Sequence, residues 1–149
     1  MPRRWSPKQI ARGIREGYRS GLEDEIAAQL QALGIDPQYE KFRIKYEQPV
    51  KRRTYTPDFL LPNGIFVETK GRFTSDDRQK HLLLKEQYPD LDIRFVFSNP
   101  NARLSKTSKT TYAMWCEKHG FQYAKGEIPE AWLKEPRRPI PPCVEVKGS

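Results

Sequence analysis

Thr56-Pro57-Asp58-Phe59-Leu60-Leu61-Pro62-Asn63-Gly64-Ile65-Phe66-Val67-Glu68-Thr69-Lys70-Gly71 is the stretch of this 149-residue chain that decides the fold. Pro62-Asn63-Gly64 suits a three-residue hairpin loop, with Pro at the second position of a type I turn and Gly in the left-handed conformation of a G1 bulge. Leu61 then pairs with Ile65, Leu60 faces Phe66, Phe59 faces Val67 and Asp58 faces Glu68. In that register both carboxylates leave the same face of the sheet with Cβ atoms roughly 5 Å apart, and Lys70, two residues on, joins them. A two-residue Asn-Gly turn is the competing closure. It shifts the register by one and sends Asp58 to the face opposite Glu68. Chemistry that uses both carboxylates selects the three-residue loop.

Two oxygen anions and an ammonium at this spacing are what a metal-dependent phosphodiester hydrolase needs. The carboxylates bind Mg²⁺ or Mn²⁺ as hard oxygen ligands, and the lysine orients the attacking water or stabilises charge building on phosphate. Solvated charges on a surface hairpin are the plainer reading of a Glu-x-Lys. Here, however, Phe59-Leu60-Leu61 and Ile65-Phe66-Val67 are apolar on both faces, as in buried strands, so charges at 58, 68 and 70 need a reason.

The hydrophobic share is low at 36%, the charged share is 31%, and 13 prolines punctuate the chain. One domain with tails fits that length. Lys and Arg outnumber Asp and Glu by 27 to 19, a formal charge of +8, which points first to nucleic acid. No apolar run approaches the roughly 18 residues of a spanning helix and no signal peptide opens the chain, so a soluble intracellular protein with no membrane partner is expected. Two cysteines, Cys116 and Cys143, are too few for a disulfide framework. Cys116 and His119 have a zinc-like spacing, but no second ligand pair accompanies them.

Residues 1–19 read as a flexible basic arm, with Arg3, Arg4, Lys8, Arg12, Arg15 and Arg19 as phosphate-seeking candidates. Ser20-Gly21-Leu22-Glu23 is a capping box for a helix over 20–33, with Leu22, Ile26, Leu30 and Leu33 on one face. Glu23 has two readings: it caps this helix, or it projects from the first turn as a third carboxylate. Residues 40–47 alternate as a half-exposed strand, with Phe42, Ile44 and Tyr46 on one side. Gln48-Pro49-Val50-Lys51-Arg52-Arg53 interrupts it as a connector or hinge between two lobes. Ser75-Asp76-Asp77 caps a helix through about Gln87, and a strand follows over 92–97. A hairpin, a helix and a further strand imply a mixed sheet flanked by helices, an α/β fold. Arg72, Lys106 and Lys109 are further phosphate-contact candidates. The latter two precede a helix through about Lys118 that buries Tyr112 and Trp115 and, in this reading, Met114. A short helix at 129–134 carries Trp132. Residues 136–149 form a Pro-rich basic tail with no periodic pattern, leaving 20–135 as the domain, divided into 20–47, a bridge at 48–53 and 54–135.

With Ser20-Gly21-Leu22-Glu23-Asp24, the stretch 55–71, Ser75-Asp76-Asp77-Arg78 and Cys116-Glu117-Lys118-His119-Gly120 in register, the chain resembles the phage T-seven endonuclease I family from about residue 19 to 135. The resemblance implies an enzyme that resolves four-way (Holliday) and other branched DNA junctions by paired cuts near the branch point, in the cytoplasm of a host bacterium. It implies a PD-(D/E)xK restriction-endonuclease-like core with Glu23, Asp58, Glu68 and Lys70 as catalytic residues. Two Mg²⁺ ions per site, replaceable by Mn²⁺, would be held by Asp58, Glu68, the Thr69 carbonyl and Glu23. It also implies an intertwined, domain-swapped homodimer whose sites combine Glu23 of one chain with the hairpin of the other, the segment near Pro49 being the bridge. Lys51-Arg52-Arg53 departs from the family's usual connector. A linear-duplex endonuclease on the same core, and a non-catalytic DNA architectural protein whose acidic cluster is structural, are the alternatives.

Overall fold

The turn expected at Pro62-Asn63-Gly64 is present in the computed structural model, which describes residues 21–48 and 51–148. The Gly64 amide donates to Leu61 O (3.0 Å), the Leu61 amide donates to Ile65 O (2.8 Å), and Gly64 sits at φ +91°. Strand pairing then runs Leu60 to Phe66 and Phe59 to Val67, the three-residue register.

Helix α1 spans Gly21–Ala32, with β1 at Gln38–Tyr39, β2 at Phe42–Gln48, β3 at Lys51–Tyr55, β4 at Phe59–Leu60 and β5 at Phe66–Lys70. Helix α2 (Ser75–Gln87), β6 (Ile93–Phe97), α3 (Tyr112–His119), β7 (Tyr123–Lys125), α4 (Glu130–Leu133) and β8 (Val144–Val146) follow. The main sheet has the order β1-β4-β5-β6-β7 and is mixed: β1, β4 and β5 are antiparallel, whereas β5, β6 and β7 are parallel because helices α2 and α3 carry the chain back. A second, antiparallel sheet has the order β3-β2-β8.

Alternation in the buried strands divides the core in two. Phe66, Phe95 and Phe97 pack with Phe73, Leu84, Tyr112 and Trp115 on the side of α2 and α3. Phe59, Val67 and Val96 pack with Ile26, Leu30 and Trp132 on the side of α1 and α4. Each apolar face of the sheet is thereby covered by helices.

Several expectations are adjusted. Leu33 lies past the end of α1 and is 54% exposed, and Met114 is 53% exposed on the outer face of α3, so neither joins the core. Helix α2 is capped by Thr74, one residue earlier than expected, in a capping box with Asp77. Lys51, Arg52 and Arg53, read as part of a connector, form the exposed start of β3, paired with β2. Trp115 and Trp132 are buried as anchors. The basic arm with Arg3, Arg4, Lys8, Arg12, Arg15 and Arg19, together with Trp5, Ser20 and Pro49, lies outside the described residues.

The Pro-rich tail carries β8 and returns to the hairpin. Asn63 Nδ2 donates to Trp132 O (2.7 Å) and Glu135 O (3.2 Å), and the Arg138 amide donates to Asn63 O (3.0 Å). Buried Arg94 forms a bidentate pair with Asp92 (2.9 Å) and a second pair with Glu135, which also holds Arg138 (3.0 Å). This clasp fixes the turn from outside. A Cβ added at Gly64 would stand 2.7 Å from both Arg138 Cγ and Arg138 O, whereas one at Gly126 (φ +73°) meets nothing within 4 Å. Gly64→Ala is therefore expected to lower unfolding free energy by about 2 to 3 kcal/mol in urea titrations, and Gly126→Ala by only the roughly 1 kcal/mol of a left-handed alanine. Equal losses at the two positions would show that the close approach of Arg138 is unimportant.

Candidate active site

Asp58, immediately before β4, and Glu68, in β5, are both buried. The hairpin register brings them together, and the Asp58 amide donates to Glu68 Oε1 (3.3 Å). Neighbouring donors fix each carboxylate. Tyr55 OH donates to Glu68 Oε1 (2.7 Å), while the amide and hydroxyl of Thr69 both donate to Asp58 Oδ2 (2.8 Å each). Lys70 Nζ lies 3.3 Å from Glu68 Oε2 and 3.2 Å from Asp77 Oδ1.

Glu23 arrives from the first turn of α1, where negative charge also suits the positive helix end, and accepts a hydrogen bond from Tyr39 OH. Carboxylate oxygens of Glu23, Glu40 and Asp58 lie within 4.8 Å of one another. The described chain thus gathers all four expected residues into one region, with Glu23 and Asp58 side by side within a single chain. An oxygen-only donor set of this spacing fits a hard divalent cation such as Mg²⁺ or Mn²⁺. Cys116, by contrast, is buried with its thiol pushed up to about 12, first by burial and then by Glu117, which does not suit a zinc thiolate.

Glu40 is a residue that sequence reasoning missed. It lies between β1 and β2 at φ +46°, and its amide donates to Asp58 O (2.9 Å), continuing the β1–β4 pairing and delivering the side chain beside Asp58. Its sequence signal was absorbed by the alternation of β2. Tyr39, Tyr55 and Asp77 were also missed, because their contacts with Glu23, Glu68 and Lys70 are tertiary. Arg72 is exposed just beyond β5, and Lys106 and Lys109 are exposed in the loop before α3, which an Arg103–Thr111 bridge closes.

The electrostatics follow from crowding. Burial, and then the negative charge of Asp58, push the Glu68 carboxyl up to about 7, against the opposing pull of Lys70 and Tyr55. Burial pulls the Lys70 ammonium down, but Glu68 and Asp77 outweigh it and the group ends above its ordinary value, so it stays a cation and a donor. Behind Tyr55, His81 is fully buried between the edges of Tyr55 (5.0 Å) and Phe95 (4.7 Å), and neither ring nitrogen has a hydrogen-bond partner among the described residues. Burial, with Lys80 next, holds it well below the usual histidine range and therefore neutral.

Two outcomes follow from these shifts. Glu68 is raised in the folded state, so its contribution to stability is lost as pH rises through about 7. Glu68→Gln should then stabilise the metal-free protein at pH 8 by about 1 kcal/mol in thermal melts with EDTA, with destabilisation as the contrary result. His81 is depressed, so its contribution is present above 6.5 and is lost as pH falls below that value. A wild-type stability curve should fall more steeply below pH 6.5 than that of His81→Leu, by about 1 kcal/mol per pH unit. Parallel curves would contradict a neutral buried imidazole.

A model of the family described as phage endonuclease I matches residues 3–147, the basic arm and most of the Pro-rich tail included. The chain is 54% identical over 133 residues to "Endonuclease I" of Escherichia phage T7, covering 88% of this chain and 89% of that protein. It is 56% identical over 124 residues to "Endodeoxyribonuclease 1" of Enterobacteria phage T3, covering 83% and 82%. With its acidic cluster at the end of a buried hairpin, this chain belongs to the phage endonuclease I family and is a nuclease.

Proposed function

We propose that this nuclease is a structure-selective endodeoxyribonuclease that resolves four-way and other branched DNA junctions by metal-dependent phosphodiester hydrolysis, in the cytoplasm of the host bacterium. The observation that carries this reading is the convergence of Glu23 and Asp58 with Glu68 and Lys70 around the Pro62-Asn63-Gly64 hairpin. Asp58, Glu68, the Thr69 carbonyl and Glu23 would hold two Mg²⁺ ions, or Mn²⁺ in their place, in a core of the PD-(D/E)xK kind. When bound, the ions supply Lewis acidity at the scissile phosphate and a nucleophile at neutral pH. The chain supplies the rest. Thr69, Tyr55 and Tyr39 keep the three carboxylates aimed together, and Lys70, an ammonium, orients the attacking water and faces the charge that develops on phosphate.

Paired cuts follow if two copies present the same site about a two-fold axis. We propose a homodimer in which α1, β1 and β2 are exchanged about the connector. In the described chain β2 pairs with β3 from Ile44–Tyr55 to Gln48–Lys51, and in an exchanged dimer the same pairs would form between the two chains. Exchange would rebuild the Glu23–Asp58 neighbourhood between chains. Arg72, Lys106, Lys109 and the basic residues of 1–19 would grip phosphates, giving selection by junction shape and affinity that falls with salt.

A labelled four-way junction and its matching linear duplex, each incubated with Mg²⁺ or EDTA, test the proposal. Paired, Mg²⁺-dependent cuts near the branch point are expected, with Asp58→Ala and Lys70→Ala cleaving about 100-fold more slowly or worse while still binding the junction. Equal cutting of both substrates would instead mark a general duplex nuclease, and binding without cutting an architectural protein.

A further inference from the structure

Lys70 stands on a flexible stem rich in rotamer entropy, so a working ammonium needs something to hold it. Glu68 is one partner, at 3.3 Å. Once Glu68 shares its charge with a cation, however, its hold on Lys70 weakens, and the anion on the other side matters more. That anion is Asp77 Oδ1, at 3.2 Å.

The local structure fixes Asp77 unusually well. Its Oδ2 accepts from the Thr74 amide (3.0 Å) and the Thr74 hydroxyl (2.9 Å), and its own amide donates back to Thr74 Oγ1 (3.2 Å). One carboxylate oxygen is thus committed to the cap of α2 and the other is left to Lys70. Lys80 lies farther from the same oxygen, at 3.8 Å. Helix α2 is itself seated on the sheet through His81 and Leu84, so the cap is a rigid support. Asp76, exposed in the same turn, already offers negative charge to the helix end.

Resting on the reading of Lys70 given above, we infer that Asp77 is a positioning residue for cleavage: the α2 capping box clamps its carboxylate, and the free oxygen holds the Lys70 ammonium beside Glu68. Asn at this position can still accept from Thr74 but carries no charge for Lys70.

Single-turnover cleavage of a junction in saturating Mg²⁺, with thermal melts and junction binding alongside, separates these roles. Asp77→Asn should slow cleavage roughly 10- to 100-fold with junction affinity unchanged. Asp77→Ser, which also keeps a cap acceptor, should do the same, while Gly126→Ala, remote from the cluster, lowers the melting temperature and keeps cleavage near that of the wild type. In a Lys70→Gln background, Asp77→Asn should add no further loss, because the two residues act as one unit. Wild-type cleavage by Asp77→Asn or Asp77→Ser, rates that track melting temperature across Gly126→Ala and Asp77→Asn, or losses that multiply in the double variant would each overturn the inference. Normal cleavage by Lys70→Gln alone would overturn the role of Lys70 itself, and the positioning role with it.

Discussion

The Leu61–Ile65 closure of the hairpin fixes which face every residue of β4 and β5 presents, because strand side chains alternate with a period of two. A slip of one residue would carry Glu68 to the face of Val67 and Val96, under α1, and expose the phenylalanines of the opposite cluster to the wrong layer. Burial on both faces makes such a slip costly. The packing of two apolar layers and the meeting of two carboxylates are therefore one constraint, enforced by a left-handed glycine and by the tail that covers it.

Within that frame the site opposes the stability of the fold. Asp58 and Glu68 repel each other in a place with little water, and Glu23 and Glu40 add further acids to the same neighbourhood. Each carboxylate draws compensation from a neutral or cationic donor: Thr69 at Asp58, Tyr55 and Lys70 at Glu68, Tyr39 at Glu23. Donors can orient acids, but they do not cancel their charge. A divalent cation held there would do so, and its binding would draw protons off the raised carboxyl, coupling metal affinity to pH. Binding to the folded state alone would then add to its stability by mass action.

The central hairpin was legible because turn chemistry and hydrophobic pattern agree over a short span, and α2, β2 and β6 were legible for the same reason. Pro62-Asn63-Gly64 states its own loop length once both carboxylates are required on one face. Glu40 was hidden because its place depends on β1, a two-residue strand too short to leave a pattern, and on a positive φ that no neighbouring glycine announces. The cap of α2 was off by one because Thr74 and Ser75 are equally good candidates until the Asp77 contact chooses between them. β8 gave no signal since three residues among prolines have no period, and their pairing with β2 joins positions about a hundred apart. Whether Glu23 serves its own chain or a second one cannot be written in spacing, since the same contacts satisfy both.

The clasp over the hairpin turn also bears on how the chain folds as it is made. Asn63 and Gly64 emerge from the ribosome long before Glu135 and Arg138, which lie 72 residues beyond Asn63 in the case of Glu135. Contacts of such long separation form late in folding, and a nascent chain lacking its last segment has no means of covering the turn. The outer cover of the hairpin that carries Asp58 and Glu68 is in place only once residues 132–138 return to it.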